Sequence, residues 1–380
     1  MVPMALTPQS VTTALAAVLD PEIRRPITEL GMVRSVEVRD GSPGATVLVG
    51  VDLTTSGCPL RETITRDVTA AVTALEGVAA VEVDLGVMSE EQRQALRQQL
   101  RGGAAEPVIP FAQPDSLTRV YGVASGKGGV GKSSITANLA AAMAADGLSV
   151  GVLDADIYGF SIPRMLGVTH PPTKVDDMII PPVAHDVKVI SIGMFTPAGR
   201  PVVWRGPMLH RALEQFLADV FWGDLDVLLL DLPPGTGDVA ISVAQLLPSA
   251  EMLVVTTPQV AAAEVAARAG SMAAQTRQRI CGVVENMSWL TQPDGSRLEI
   301  FGSGGGAQVS RALTRTLGAE TRLLGQVPLD VGIREGGDTG VPTVIGNPDS
   351  EAAVALRAVA ASLSHRARGL AGRQLGLSPV

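Results

Sequence analysis

The sequence predicts an α/β protein: a doubly wound, mostly parallel sheet preceded by a small α+β domain. Three observations carry this reading. From residue 117 onward, short apolar runs alternate with helical patterns, the rhythm of strands buried on both faces and joined by helical crossovers. The first hundred residues instead carry half-polar strands and short helices. Between them the stretch 101–116, RGGAAEPVIPFAQPDS, lacks periodicity and is rich in Gly, Ala and Pro, which marks a linker. A chain of 380 residues is also long for one hydrophobic core. The predicted organisation is a first domain at 1–101, a linker at 102–117 and an α/β domain at 118–380.

Each element has its own warrant. Residues 11–19 form a short Ala-rich helix, and 32–39 alternate as a strand. Residues 45–53 follow a Gly-Ser-Pro-Gly turn as a second strand, 63–75 read as helix, 78–85 as a third strand and 90–101 as a polar helix. In the larger domain the strands are 120–124, 149–153, 187–192, 226–230, 252–256, 280–284 and 322–327. A helix at 134–145 follows the first of them, and 350–370 is a further Ala/Arg helix. No internal repeat of fixed period is present.

Composition excludes several classes. No run approaches the roughly 18 apolar residues that span a bilayer, and the start, MVPMALTPQS, lacks the pattern of a signal peptide. A cytoplasmic protein without stable membrane attachment is expected. Two distant cysteines make no disulfide framework. A net charge of -8 argues against nucleic acid as partner. The four histidines, at 170, 185, 210 and 365, show no metal-ligand spacing. His170 and His185 flank a Pro-rich loop and are expected to be solvated.

Only four of the 30 basic residues are lysines, and two of those four fall within one loop of eight residues. That loop, Gly126-Lys127-Gly128-Gly129-Val130-Gly131-Lys132-Ser133, fits the phosphate-binding pattern G-x-x-x-x-G-K-[ST] between a strand and a helix. Glycines let the backbone wrap phosphates with its N–H groups, and the helix N-terminus adds positive potential. Lys132 is expected on the β- and γ-phosphates of ATP, and the Ser133 hydroxyl on Mg²⁺. Two strands end in acids, one in Asp154-Ala155-Asp156 and the other in Asp231-Leu232-Pro233-Pro234-Gly235-Thr236-Gly237-Asp238. Carboxylates at the C-terminal ends of parallel strands border the crevice where such sheets bind ligands.

Lys127, in the form K-G-G-x-G-K-S, resembles the deviant Walker A group of P-loop NTPases, which includes MinD, ParA and the nitrogenase iron protein. The resemblance implies a homodimer that sandwiches two ATPs, with Lys127 reaching the partner's nucleotide. It gives Asp231 the Walker B role on Mg²⁺ and Asp156 the orientation of the attacking water, with Asp154 beside it near the metal. Asn286 and the turn Pro328-Leu329-Asp330 match adenine-contacting positions of the wider class. Together with Gly126 to Ser134, they complete the expected nucleotide site.

Longer motifs point to one branch. Lys127 through Ser134, Asp154-Ala155-Asp156-Ile157-Tyr158-Gly159, Asp231 through Asp238, Glu285-Asn286-Met287-Ser288 and Ile300-Phe301-Gly302-Ser303-Gly304-Gly305-Gly306 resemble the Mrp/ApbC iron–sulfur cluster carriers over 118–361. Asp20-Pro21-Glu22, Glu29-Leu30-Gly31 and Thr54-Thr55-Ser56-Gly57-Cys58-Pro59 resemble the small MIP-type cluster-assembly domain that precedes this ATPase. The resemblance implies ATP hydrolysis coupled to cluster transfer, with cluster-assembly proteins or apo iron–sulfur proteins as partners.

One departure bears on the cargo. The resemblance leads one to expect a Cys-x-x-Cys pair between the Glu-Asn-Met and Phe-Gly segments, where two subunits share a [4Fe–4S] cluster. Residues 288–299 hold no cysteine, and Pro293-Asp294-Gly295 reads as a tight hairpin turn. Iron–sulfur clusters favour thiolates. Of the two cysteines, Cys281 sits in an apolar strand and is read as core. Cys58 precedes a helix, where a thiol is acidified, so it is a candidate cluster ligand or transfer thiol as well as a structural residue. Two other readings stay open: an ATP-switched positioning protein of the MinD/ParA kind, and an ATP-driven electron donor like the nitrogenase iron protein.

Overall fold

The computed structural model describes residues 6–42, 44–54, 60–100, 108–156, 159–176, 178–195, 206–235, 237–259 and 262–364. In chain order the first part gives α1 (Pro8–Leu15), β1 (Val33–Arg39), β2 (Ala45–Leu53), α2 (Arg61–Thr73), β3 (Val78–Val87) and α3 (Glu90–Leu100). Then come β4 (Arg119–Ala124), α4 (Lys132–Ala145), β5 (Val150–Asp154), α5 (Ile162–Met165), β6 (Thr173–Val175), β7 (Met178–Ile180), β8 (Val183–Ala184) and β9 (Val187–Ser191). They are followed by α6 (Gly206–Ala218), β10 (Val227–Asp231), α7 (Asp238–Leu246), β11 (Glu251–Thr256), α8 (Ala262–Thr276) and β12 (Arg279–Asn286). The last part holds β13 (Leu290–Thr291), β14 (Arg297–Leu298), α9 (Gly305–Leu317), β15 (Leu323–Val327), α10 (Val331–Thr339), α11 (Thr343–Gly346) and α12 (Glu351–Ser364).

The chain divides into two compact units, and the division is not a single cut. Met1–Pro107 is joined in the first unit by His170–Pro182 and Asp219–Gly223, and the rest makes the second. In the first unit the sheet order is β1-β2-β3, with β1 antiparallel and β3 parallel to β2. Helix α2 buries Ile64, Val68 and Val72, one residue per turn. Alternate residues of β2 (Val47, Val49, Val51, Leu53) join them in one core. Thr7 and Ser10 cap α1 reciprocally, which starts the helix three residues before its apolar pattern begins.

In the second unit the sheet runs β15-β12-β11-β4-β10-β5-β9-β8 among the described residues, parallel throughout except for the β8–β9 pair. Strands β4, β5, β10 and β11 are apolar along nearly their whole length because helices cover both faces. Helix α4 is buried all round, and its alanines pack in the same core as Ala352, Leu356, Val359 and Leu363 of α12. The register sets Asp231 beside Asp154 at the C-terminal edge of β10 and β5. This is the doubly wound, mostly parallel α/β sheet that the sequence predicts, with the small sheet domain before it.

Two details differ from the sequence reading, and a third lies partly outside the described residues. Residues after 107 are not slack chain, since Phe111 is buried in a short turn of 3-10 helix, Pro110–Ala112. The C-terminal helix is described to Ser364, and residues 365–370 lie outside the described residues. Two histidines are engaged instead of solvated. The His185 ring lies 2.9 Å from the Gly340 carbonyl, and His170 Nδ1 is 3.8 Å from Glu22 Oε1. Sequence spacing cannot reveal such contacts, because both partners lie more than a hundred residues away.

Glu22 itself is buried, and burial pushes its carboxyl up to about 8, with the nearby Asp20 charge adding to the effect and a Thr173 hydrogen bond opposing it. Folding therefore strengthens proton binding at Glu22. Its contribution to stability is fully present below pH 4.5 and is lost as pH rises through about 8. Glu22→Gln is expected to melt several degrees above the wild type at about pH 9 and to match it near pH 4. Equal melting temperatures across that range would exclude a buried protonated Glu22.

Candidate functional site

The loop between β4 and α4 takes its shape from its glycines. Gly129 and Gly131 both have φ +78, a region other residues avoid. A Cβ on Gly131 would stand 2.3 Å from Asn286 Nδ2, and one on Gly126 would stand 2.8 Å from the Val265 backbone. Asn286, at the end of β12, donates from Nδ2 to the Val130 carbonyl at 2.9 Å, so it braces the loop from behind. Ser125 Oγ donates to the Lys127 carbonyl, and Gly235 N donates to the Ser125 carbonyl, tying the Asp231–Gly235 segment to the loop.

Asp231 is fully buried, and three side chains of α4 converge on it. Lys132 Nζ lies 2.6 Å from Oδ1, Thr136 Oγ1 3.0 Å from the same oxygen, and Ser133 Oγ 2.5 Å from Oδ2. Thr136, one helical turn beyond Lys132, was absent from the sequence reading, although its i+4 spacing puts it on the same face. The paired hydroxyl and carboxylate oxygens of Ser133 and Asp231 are the hard donors Mg²⁺ prefers, so the residues fit the expected ion.

Asp154 stands beside Asp231 in the strand register, next to the oxygens that fit the ion. It is buried and accepts from Asp156 N at 3.1 Å, Ser161 N at 3.0 Å, Ile162 N at 3.2 Å and Ser191 Oγ at 3.3 Å. Burial, reinforced by the neighbouring Asp231 charge, raises its carboxyl to about 7. Asp154 thus shapes the segment carrying Asp156, whose Oδ1 accepts from Gly159 N at 3.0 Å.

Two cavities meet over this framework. One of about 220 Å³ is lined by Gly128 to Ser134, Asp156, Ser161, Met165 and Pro234. The other, about 290 Å³, shares Gly131, Ser134, Ser161 and Met165 and adds Asn286, Met287, Pro328, Asp330, Arg164 and Arg334. The first has the lining of a phosphate site, and the second is the more apolar of the two, suited to a base. Asp330 caps α10 through Gly332 N at 2.7 Å. Met287 adopts φ +58, strain placed at the wall of the second cavity. The Arg164–Asp338 pair, at 2.7 Å, and the Arg334–Asp338 pair, at 3.1 Å, edge it. Lys127 lies outside both linings and donates to Gln259 Oε1 of its own chain.

A family profile described as NUBPL iron-transfer P-loop NTPase, of the ParA class, matches residues 116–364. The chain belongs to that family. A second profile, for iron–sulfur cluster assembly proteins, matches residues 8–85 of this P-loop NTPase. A protein of Mycobacterium tuberculosis named iron–sulfur cluster carrier protein is 66% identical over 98% of this chain and 97% of its own length. A Deinococcus radiodurans protein of the same name is 44% identical over 92% and 93%. Among solved structures, a nucleotide-binding protein of Archaeoglobus fulgidus in complex with ADP is 34% identical, with a TM-score of 0.51 over 60% of this chain and 92% of that one.

The remaining sequence expectations concern thiols. Cys281 is buried within β12. Cys58 lies outside the described residues. Residues 290–298 form a β13–β14 hairpin turning at Gly295, φ +82, as the Pro-Asp-Gly spelling predicts. Among the described residues no three His, Cys, Asp or Glu side chains are grouped to hold a metal, and no helix is long and apolar enough to cross a membrane.

Lys132→Ala is expected to abolish measurable MgATP binding and to lower Tm, because Asp231 would keep a buried charge at a cost of about 3–5 kcal/mol. Gly131→Ala should raise the Kd for MgATP by on the order of 10-fold or more. Adding Asn286→Ala should recover only part of that loss, since the clash disappears while the positive φ remains. Full recovery in isothermal titration would show that the left-handed backbone is not needed.

Proposed function

We propose that the chain is an ATP-hydrolysing carrier that accepts and delivers iron–sulfur clusters, working as a cytoplasmic homodimer. The observation that carries the reading is the convergence of Lys132, Ser133 and Thr136 on Asp231 beside a glycine-lined cavity, in a chain whose relatives across its full length are named cluster carriers. The cluster-assembly profile over residues 8–85 favours a carrier over a MinD-like positioning protein. Partners would be cluster donors and apo iron–sulfur proteins.

In this mechanism the loop N–H groups from Gly128 to Ser133 hold the β- and γ-phosphates, and Lys132 turns from Asp231 to the γ-phosphate. Ser133 and Asp231 would hold Mg²⁺, which neutralises charge on the phosphate oxygens. Asp156, in the lining of the phosphate cavity, orients the attacking water. Asp154 keeps that segment in place through its three backbone N–H bonds. Pro328, Asp330 and Asn286 line the base side. Lys127 would leave Gln259 for the partner's nucleotide on dimerisation. The cluster is cargo, and Cys58 is the candidate ligand or transfer thiol.

Asp156→Ala is expected to retain ATP binding and to lose kcat by on the order of 100-fold; an unchanged kcat would remove Asp156 from the mechanism. For the cargo, anaerobic iron and sulfide reconstitution of wild type and Cys58→Ser is the test. Visible absorption and acid-labile sulfide in the wild type, lost in Cys58→Ser, are expected. No cluster in either would overturn a carrier that holds its cargo through its own cysteines and leave the nucleotide site standing.

A further inference from the structure

The 170–182 stretch lies, in sequence, inside the P-loop NTPase family match, yet it folds as part of the N-terminal unit. Its β6–β7 hairpin contributes Val175, Met178 and Ile180, all essentially unexposed, to the core that holds Val11, Leu15, Ile27 and Leu96. Polar contacts fix it further. Asp176 lies 3.9 Å from Arg93 of α3. Ile179 N donates to the Asp219 carbonyl at 2.9 Å, and Phe221 N returns a bond to the Ile179 carbonyl at 2.8 Å, so the second excursion, 219–223, is stitched to the first.

The entry to this stretch starts at the nucleotide cleft. Ser161 and Met165 line both cavities, and Asp154 grips Ser161 N and Ile162 N. The residues that follow are not slack: Gly167 N donates to the Arg164 carbonyl at 3.0 Å, Val168 N to the Pro163 carbonyl at 2.8 Å, and Leu166 is fully buried. Four residues lie between Met165 and His170. His170 and Thr173 then meet Glu22. The Thr173 hydroxyl bonds its carboxyl, while its Oε1 is buried with no hydrogen-bond partner and faces His170 Nδ1 at 3.8 Å.

We propose that residues 170–182 are a coupling arm that transmits the nucleotide state of the cleft to the Asp20–Glu22 corner of the cluster-assembly-like unit. The inference rests on the nucleotide-binding reading of the cleft. A change at Ser161 and Met165 on nucleotide binding passes along a bonded turn to His170 and Thr173, which alters what Glu22 bonds. The two states differ in a hydrogen bond at a buried carboxyl, the kind of differential contact a population shift requires. The ATPase would thereby set the state of the unit that carries the cargo thiol candidate.

Hydrogen–deuterium exchange on the full-length chain, with and without MgATPγS, tests this, using wild type, Thr173→Val and His170→Gln. Nucleotide should change exchange by at least about twofold in peptides covering 159–168, 170–182 and 18–30 of the wild type. Both variants should bind a fluorescent ATP analogue and hydrolyse ATP as the wild type does. They should keep the response at 159–168 and lose it at 18–30. A wild-type response that stops before residue 170, or variants that respond at 18–30 like the wild type, would overturn the arm while leaving the nucleotide site intact. Failure of the wild type to bind the analogue would overturn the functional reading and the arm with it.

Discussion

Two buried carboxylates on adjacent strands set the terms for the rest of the site. Parallel pairing of β10 with β5 puts Asp231 directly beside Asp154, and both are fully buried. Neighbouring strands lie about 4.8 Å apart, and an uncompensated ion in such surroundings costs several kcal/mol. The fold answers with two different sets of donors. Asp231 takes the Lys132 ammonium and two hydroxyls, which locks the first turn of α4 and hence the orientation of the phosphate loop. Asp154 takes backbone N–H groups from 156, 161 and 162, which fixes the path of the segment carrying Asp156. The phosphate loop and the segment carrying Asp156 are thus positioned by the same electrostatic demand.

The shared wall of the two cavities follows from this arrangement. Ser161 and Met165 border both the phosphate side and the base side, because Asp154 pulls the start of α5 over the cleft. Whatever occupies the cleft therefore touches a segment whose covalent continuation lies in the other unit's core. The chain leaves the second unit twice, at 170–182 and 219–223, and returns to it each time.

Much of this was legible in the sequence, and the limits have physical causes. The parallel sheet was readable because strands buried on both faces must be apolar throughout, and the phosphate loop because few alternatives to glycine fit its backbone. Strand-end acids were readable as a group, but their division of labour was not. Asp154 and Asp156 are two residues apart in one motif, and only the three-dimensional path of 159–162 brings backbone N–H groups onto the first. Asn286 was expected near adenine. Its amide spends one donor on Val130, a contact across 156 residues that no local pattern encodes. The 170–182 excursion was unreadable for the same reason: a short Pro-flanked apolar hairpin looks alike whichever core it joins.

The hairpin at 290–298 bears on how any cargo could be held. Glu351, at the start of α12, accepts from Trp289 Nε1 at 3.3 Å and Arg297 at 2.9 Å, and also from the Thr291 hydroxyl. Hydrogen bonding, led by Thr291, keeps its carboxyl below the usual range, and the Arg297 guanidinium stacks over Trp289 at 3.8 Å. The segment is closed by its own polar network and offers no thiolate. Cys281 is no substitute, since β12 pairs with both β11 and β15 and freeing its buried thiol would open the central sheet. Cys58 then remains, and in the proposed homodimer two chains would supply two thiolates where a four-iron cluster takes about four ligands. A cluster carried by this protein would accordingly be completed by a small thiol or by the partner's own ligands. Incomplete ligation of that kind favours handing a cluster on over keeping it.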